Sequence, residues 1–164
     1  MSQLSPAPII EMATAYWHSA TLIAAAELNI FTKLASQVDR LLPLSKAIGA
    51  SEEMTDMLLS ALLSLGLVER RGDRYINSPL AENFLVQGCP GYLGPALAYN
   101  GDVFQLWANL SEVITTGAPQ KAPSDYLGDD QTKTKNFVYG MHHRALAVGR
   151  SVIAGMDFSD ARQL

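Results

Sequence analysis

Between Glu27 and Val86 the chain is punctuated at Gly49, Ser51, Gly66, Gly72-Asp73 and Ser78-Pro79, and these points leave little choice of fold for the stretch. Glu27 to Ala35 reads as a helix, and Pro43 to Ile48 as a shorter one that Gly49 stops. Ser51 is an N-cap residue by type, with Glu52 and Glu53 in the first turn behind it, where the helix dipole favours negative charge. The third helix then carries Met54, Met57, Leu58, Ala61, Leu62 and Leu65 at helical spacing and ends at Gly66. Leu67 to Arg71 and Arg74 to Asn77 flank the two-residue turn Gly72-Asp73, which predicts a β-hairpin, and Ser78-Pro79 opens a short helix through Leu85. Three helices followed by a two-stranded wing are the pattern of a winged helix.

The segments on either side predict more helix. Pro6 and Pro8 stand at a helix start, where a missing N–H costs nothing. From Ile9 the apolar residues occupy two sides: Ile9, Met12, Tyr16, Ala20 and Ile23 share one, while Ile10, Trp17 and Ala24 form another. Such a helix must be covered from more than one direction, either inside its own core or across a subunit interface. The second reading makes Ile9, Met12, Tyr16, Trp17, Ala20 and Ile23 the interface of a homodimer. After the Gly88 to Pro95 loop, Val103, Leu106, Trp107, Leu110, Val113 and Ile114 fall on one helical stripe that ends at Gly117-Ala118-Pro119. A polar loop to about Asp130 precedes a long helix with Phe137, Met141, Ala145, Val148 and Val152 on one stripe, running out near Asp157. The fold class is therefore mainly α: a winged helix with additional long helices, dimeric. Its parts are residues 1–90, the first helix and winged-helix dimerisation domain, and residues 91–164, a helical region.

Charge and composition exclude several functions. Charged residues make up 17%, below the roughly 25% of average soluble domains, so part of the apolar surface is expected to meet a partner. A net charge of -4 and a pI near 5.3 argue against nucleic acid as a partner. Glu52, Glu53, Thr55 and Asp56 would occupy the base-reading positions of the third helix, leaving Arg70, Arg71 and Arg74 as the only basic cluster. The run from Met12 to Ala26 is interrupted by Thr14, His18, Ser19 and Thr21, too short and polar to span a bilayer, and no Lys or Arg near Met1 suggests a signal peptide. A single cysteine, Cys89, suits a cytoplasmic protein.

Candidate chemistry is sparse. No G-x-G-x-x-G or G-x-x-x-x-G-K-[ST] loop is present, so no catalytic and no cofactor-binding residue is assigned. The polar turn and Leu164 that close the sequence read as the approach to a strand, which predicts the front part of a larger protein. His142 and His143 are adjacent, about 100° apart on a helix, and so no metal is expected. His142 shares a side with Val138, Ala145 and Gly149, which predicts burial either as a core histidine or as part of a ligand wall. His18 reads as a core or interface residue rather than a general base. Phe104 and Trp107 are either plain core or the aromatic side of a pocket for a flat organic molecule.

The order of these parts resembles one family. The apolar first helix, A-A-E-L-N-I-F at Ala25 to Phe31, L-L-S-L-G-L-V at Leu62 to Val68, W-x-x-L at Trp107 to Leu110 with Thr116-Gly117, F-x-x-G-M at Phe137 to Met141 and the closing D-F-S-D-A-R-Q-L carry the likeness. Together they are similar to the N-terminal dimerisation region of S-adenosylmethionine-dependent small-molecule O-methyltransferases, a group including caffeic acid, hydroxyindole and bacterial polyketide-tailoring enzymes. The resemblance implies that the winged helix dimerises, that the first helix reaches into the partner, and that S-adenosylmethionine and the catalytic histidine belong to a second, Rossmann-like domain beyond this region. It implies further that Met141 lines the acceptor pocket, with Phe104, Trp107 and His142 as companions, and that His142-His143-Arg144 suits a bacterial phenolic acceptor better than a phenylpropanoid. The expected function is dimerisation and positioning of a small aromatic acceptor; the alternatives are a winged-helix transcriptional regulator and a free-standing dimerisation module.

Overall fold

A computed structural model describes residues 4–121 and 127–157, with main chain alone for residues 147, 150 and 151. The closing segment from Ser159 lies outside the described residues. The described chain is mainly helical, and its one sheet is a two-stranded antiparallel hairpin.

The N-terminal helix comes as two pieces, α1 (Ala7–Thr14) and α2 (Tyr16–Glu27), where the sequence pattern suggests one. Thr14 donates its hydroxyl to the carbonyls of Ile10 (2.9 Å) and Glu11 (3.4 Å), the back-bonding that disturbs helices locally. Glu27 ends α2 instead of beginning the next helix, because Asn29 adopts a left-handed conformation at φ 55°. Asn tolerates that region better than most residues, and α3 (Ile30–Ala35) starts directly after it. Next, α4 (Leu41–Ile48) opens two residues before the expected Pro43, since a proline in the first turn gives up an N–H that has no partner there anyway.

The third helix of this unit, α5 (Glu52–Ser64), is capped as its sequence requires: Ser51 Oγ accepts from the Met54 N–H at 3.2 Å. Strands β1 (Val68–Arg71) and β2 (Arg74–Asn77) pair in the register Val68 with Asn77 and Arg71 with Arg74, around a Gly72 with φ 65°. A short α6 (Pro79–Phe84) follows, capped by Ser78 Oγ. These elements enclose one core of Ala25, Ile30, Phe31, Leu34, Leu44, Leu59, Leu62, Val68, Tyr75 and Ala81. Asn77 ties the hairpin to α3 by donating to the Phe31 carbonyl at 2.9 Å.

Downstream, α7 (Gly94–Ala108) begins well before the predicted stripe, and Asn109 separates it from α8 (Leu110–Thr116). Gly117, at φ 68°, ends α8. The long helix α9 (Gln131–Ala154) is capped by Asp130 Oδ1, which accepts from the N–H groups of Thr132 (3.0 Å) and Lys133 (3.1 Å). Those bonds, that of Lys133 first, hold the Asp130 carboxyl below its ordinary pKa. Helix α7 is packed between α2 and α9. Both contacts are close: a Cβ on Gly101 of α7 would lie 3.3 Å from Ile23 Cγ2, and one on Gly140 of α9 would lie 3.2 Å from Tyr99 Cβ.

The stripe expected on α9 is buried only in its first part. Gly140 is buried and Phe137 half-buried against α7, and Met141 is half-buried, whereas Ala145, Val148 and Val152 are exposed. Helix α1 buries nothing, and Ile9, Met12, Tyr16 and Trp17 all stay exposed. No helix among the described residues is long and apolar enough to cross a membrane. Removing the Ser51 cap leaves an N–H of α5 unpaired, so Ser51→Ala is expected to cost about 1 kcal/mol. That loss corresponds to a melting temperature lower by about 2–4 °C for a chain of this size, measurable by calorimetry.

Candidate functional site

Trp107 stands on a ridge between two clefts. The larger, about 530 Å³, is walled by Tyr99, Val103, Leu106 and Trp107 of α7 and Leu110 and Val113 of α8, and is closed by Pro119, Gln120, Lys121 and Arg144. The smaller, about 340 Å³, lies between α2 and α7, with Tyr16, Ser19, Leu22 and Ile23 facing Leu97, Phe104 and Trp107. Asn100 and Val103 also border both clefts. Apolar clefts of this size with a few polar groups are the usual seats of small organic molecules. The Trp107 side chain is 69% exposed, so its indole face is available to a ligand instead of being spent on the core.

The polar end of the larger cleft is organised by Arg144. Its guanidinium lies 5.6 Å from the centre of the Tyr99 ring and donates through Nη2 to Asn100 Oδ1. The Tyr99 ring in turn meets Phe137 edge-on, with centroids 5.5 Å apart. Among the described residues no carboxylate lines this cleft.

Of the residues singled out from sequence, Phe104 and Trp107 come together at the smaller cleft, and Trp107 also faces the larger one. Met141 is half-buried on α9 and borders neither cleft. His142 contradicts the expectation of burial: it is exposed, while its neighbour His143 is half-buried with Nδ1 shielded from solvent and unbonded. The physical reason is the phase of α9, which turns Gly140 rather than the His142 side toward α7. His18 is exposed as well, so it is no core residue of the single chain. On the N-terminal helices Tyr16 and Ile23 line the smaller cleft, Ala20 is half-buried, and Ile9, Met12 and Trp17 project outward. Sequence reasoning missed Tyr99 and Asn100, and it named Arg144 only within His142-His143-Arg144 as a hint about the acceptor. Tyr99 extends the Val103 stripe one turn toward the N-terminus and was legible on that ground; nothing local to Arg144, 37 residues past Trp107, told that it would meet α7.

The hairpin uses its charges internally. Arg74 pairs with the largely buried Asp39 at 3.2 Å, Arg71 with Glu69 at 3.1 Å, and Asp73 at the turn with Arg40 at 3.1 Å. Arg70 lies over the Tyr75 ring and donates from Nε to the Gly72 carbonyl. Tyr75 donates its hydroxyl to Asp56 Oδ1 at 3.1 Å. Burial above all, and then that bond, raise its pKa above the ordinary tyrosine value. No group of three or more His, Cys, Asp or Glu among the described residues is placed to hold a metal ion.

Against this geometry, similarity to known proteins is specific. Residues 10–87 match the O-methyltransferase dimerisation domain. The chain is 34% identical over 161 residues to the tetracenomycin polyketide synthesis 8-O-methyl transferase TcmO of Streptomyces glaucescens, covering 94% of this chain and 47% of that protein. It is 31% identical to the acetylserotonin O-methyltransferase of Bos taurus over 165 residues, 91% of this chain and 48% of the relative. The solved structure of human N-acetylserotonin methyltransferase in complex with SAM superposes with a TM-score of 0.77 at 24% identity, over 96% of this chain and 51% of that one. The chain thus spans about half the length of the curated relatives it matches. Given the paired or stacked hairpin arginines and the exposed Glu52 and Glu53, duplex DNA is expected to bind more weakly than about 10⁻⁷ M at physiological salt, without sequence preference. Fluorescence anisotropy with a labelled duplex measures this, and a tighter specific complex would restore the regulator reading.

Proposed function

Residues 10–87 belong to the O-methyltransferase dimerisation-domain family, and on that premise we propose that this chain is the dimerisation and acceptor-positioning region of an S-adenosylmethionine-dependent O-methyltransferase acting on a small aromatic natural product, in the cytoplasm. The observation that carries the acceptor role is the exposed Trp107 indole between two apolar clefts. The names of the relatives, a polyketide methyl transferase and acetylserotonin methyltransferases, agree with a flat acceptor.

Two units share the work. The winged helix of residues 27–86, with the first helix, forms a homodimer and constitutes the dimerisation domain of residues 1–90. The helices of residues 91–164 wall the acceptor site. Support for the dimer comes from Ile9, Met12, Tyr16 and Trp17, which are apolar and exposed on consecutive helical turns. A patch of this kind on a soluble chain marks an interface. Phe104 and Trp107 hold the acceptor ring. Met141 and His142, which border neither cleft in the single chain, would meet the acceptor from α9 when a further element closes over that helix; the exposed Val148 and Val152 support such a covering.

S-adenosylmethionine does not fit the described residues. A cofactor of that size is held by a glycine loop at the end of a parallel strand, and the described sheet is an antiparallel hairpin. No methyl-transfer step is therefore assigned to this chain. Its side chains orient the acceptor and keep water from it, and orientation alone is worth several orders of magnitude in rate.

Sedimentation is expected to show a homodimer at micromolar concentration with an interface above about 2,000 Å². Trp17→Ala should weaken that association by at least about 2 kcal/mol, and a stable monomer or an unchanged mutant dimer would refute the assignment. Calorimetric titration of the chain with S-adenosylmethionine should give no dissociation constant below about 100 μM; a tighter value would return the cofactor site to these residues.

A further inference from the structure

The larger cleft carries a charge imbalance that neither dimerisation nor a neutral aromatic acceptor requires. The chain as a whole is acidic, with 16 Asp and Glu against 12 Lys and Arg. Yet Lys121 and Arg144 both line the cleft, and among the described residues no acidic side chain does. Neither cation forms an ion pair among the described residues. The partners of Arg144 are neutral: the Tyr99 ring beneath it and the amide oxygen of Asn100. Together they restrain the guanidinium without cancelling its charge, which lowers the ordering cost when an anion arrives. Across the cleft Trp107 offers an exposed indole face.

Resting on the acceptor reading above, we infer that this cleft selects a planar aromatic ligand bearing a carboxylate. The acid group is gripped by Arg144, with Lys121 as a second positive charge, and the ring lies along Trp107. Arginine suits the task because its planar fork meets both oxygens of a carboxylate. A hydroxyl elsewhere on the same ring is left free, and the grip on the acid sets which position it occupies.

The test is calorimetric titration of the 164-residue chain at neutral pH with 6-hydroxy-2-naphthoate and with 2-naphthol, which share a ring system and a hydroxyl and differ in the acid. The naphthoate is expected to bind at least about tenfold more tightly, the scale of a hydrogen bond to a charged group. The double variant R144Q/K121Q should bring the naphthoate to the affinity of 2-naphthol and leave 2-naphthol unchanged, whereas Trp107→Ala should weaken both. Equal affinities in the unaltered chain, or a preference that survives R144Q/K121Q, would overturn the carboxylate assignment and leave the acceptor wall standing. Failure of both ligands to bind would overturn the assignment together with the acceptor reading beneath it.

Discussion

Ile23 and Ala25 lie two residues apart on α2 and serve different cores. Ala25 is fully buried among Ile30, Phe31, Leu59 and Leu62 in the helix–hairpin unit, while Ile23 lies close to α7 at Gly101, where an added Cβ would stand 3.3 Å from its Cγ2. One helix thus joins the unit before residue 90 to the helices after it. Interiors packed at crystal-like density transmit such a constraint, so the position of α2 sets that of α7, and α7 in turn sets the depth of α9 through Gly140. The clefts on both sides of Trp107 are what remains between these helices once their backbones have met.

The same arrangement accounts for the unusual amount of apolar surface. Helix α1 and the latter half of α9 project beyond the packed region, and Trp17 (57%), Val148 (63%) and Ile153 (61%) are exposed accordingly. A free-standing single chain would leave these groups to water at a cost of roughly 25 cal/mol for each Å² of apolar surface. The match of residues 10–87 to the O-methyltransferase dimerisation domain begins inside α1. The hairpin shows the opposite economy: its arginines are paired or stacked within the chain, so a shape associated with DNA binding carries few unpaired charges with which to bind it.

What the sequence determined by itself is local. Ser51 ahead of Glu52 and Glu53 announced the α5 cap, Gly72-Asp73 the hairpin register, Gly117 the end of α8, and the helical stripes the mainly helical class, because a cap or a turn depends on backbone groups three or four residues away. The tertiary structure decided which way the helices face. Arg144 reaches Tyr99 and Asn100, and His142 turns outward, because the phase of α9 follows from the one small residue, Gly140, that lets two backbones approach. A helix with apolar residues on several sides offers several contact faces of similar free energy, and only the partner helix chooses among them.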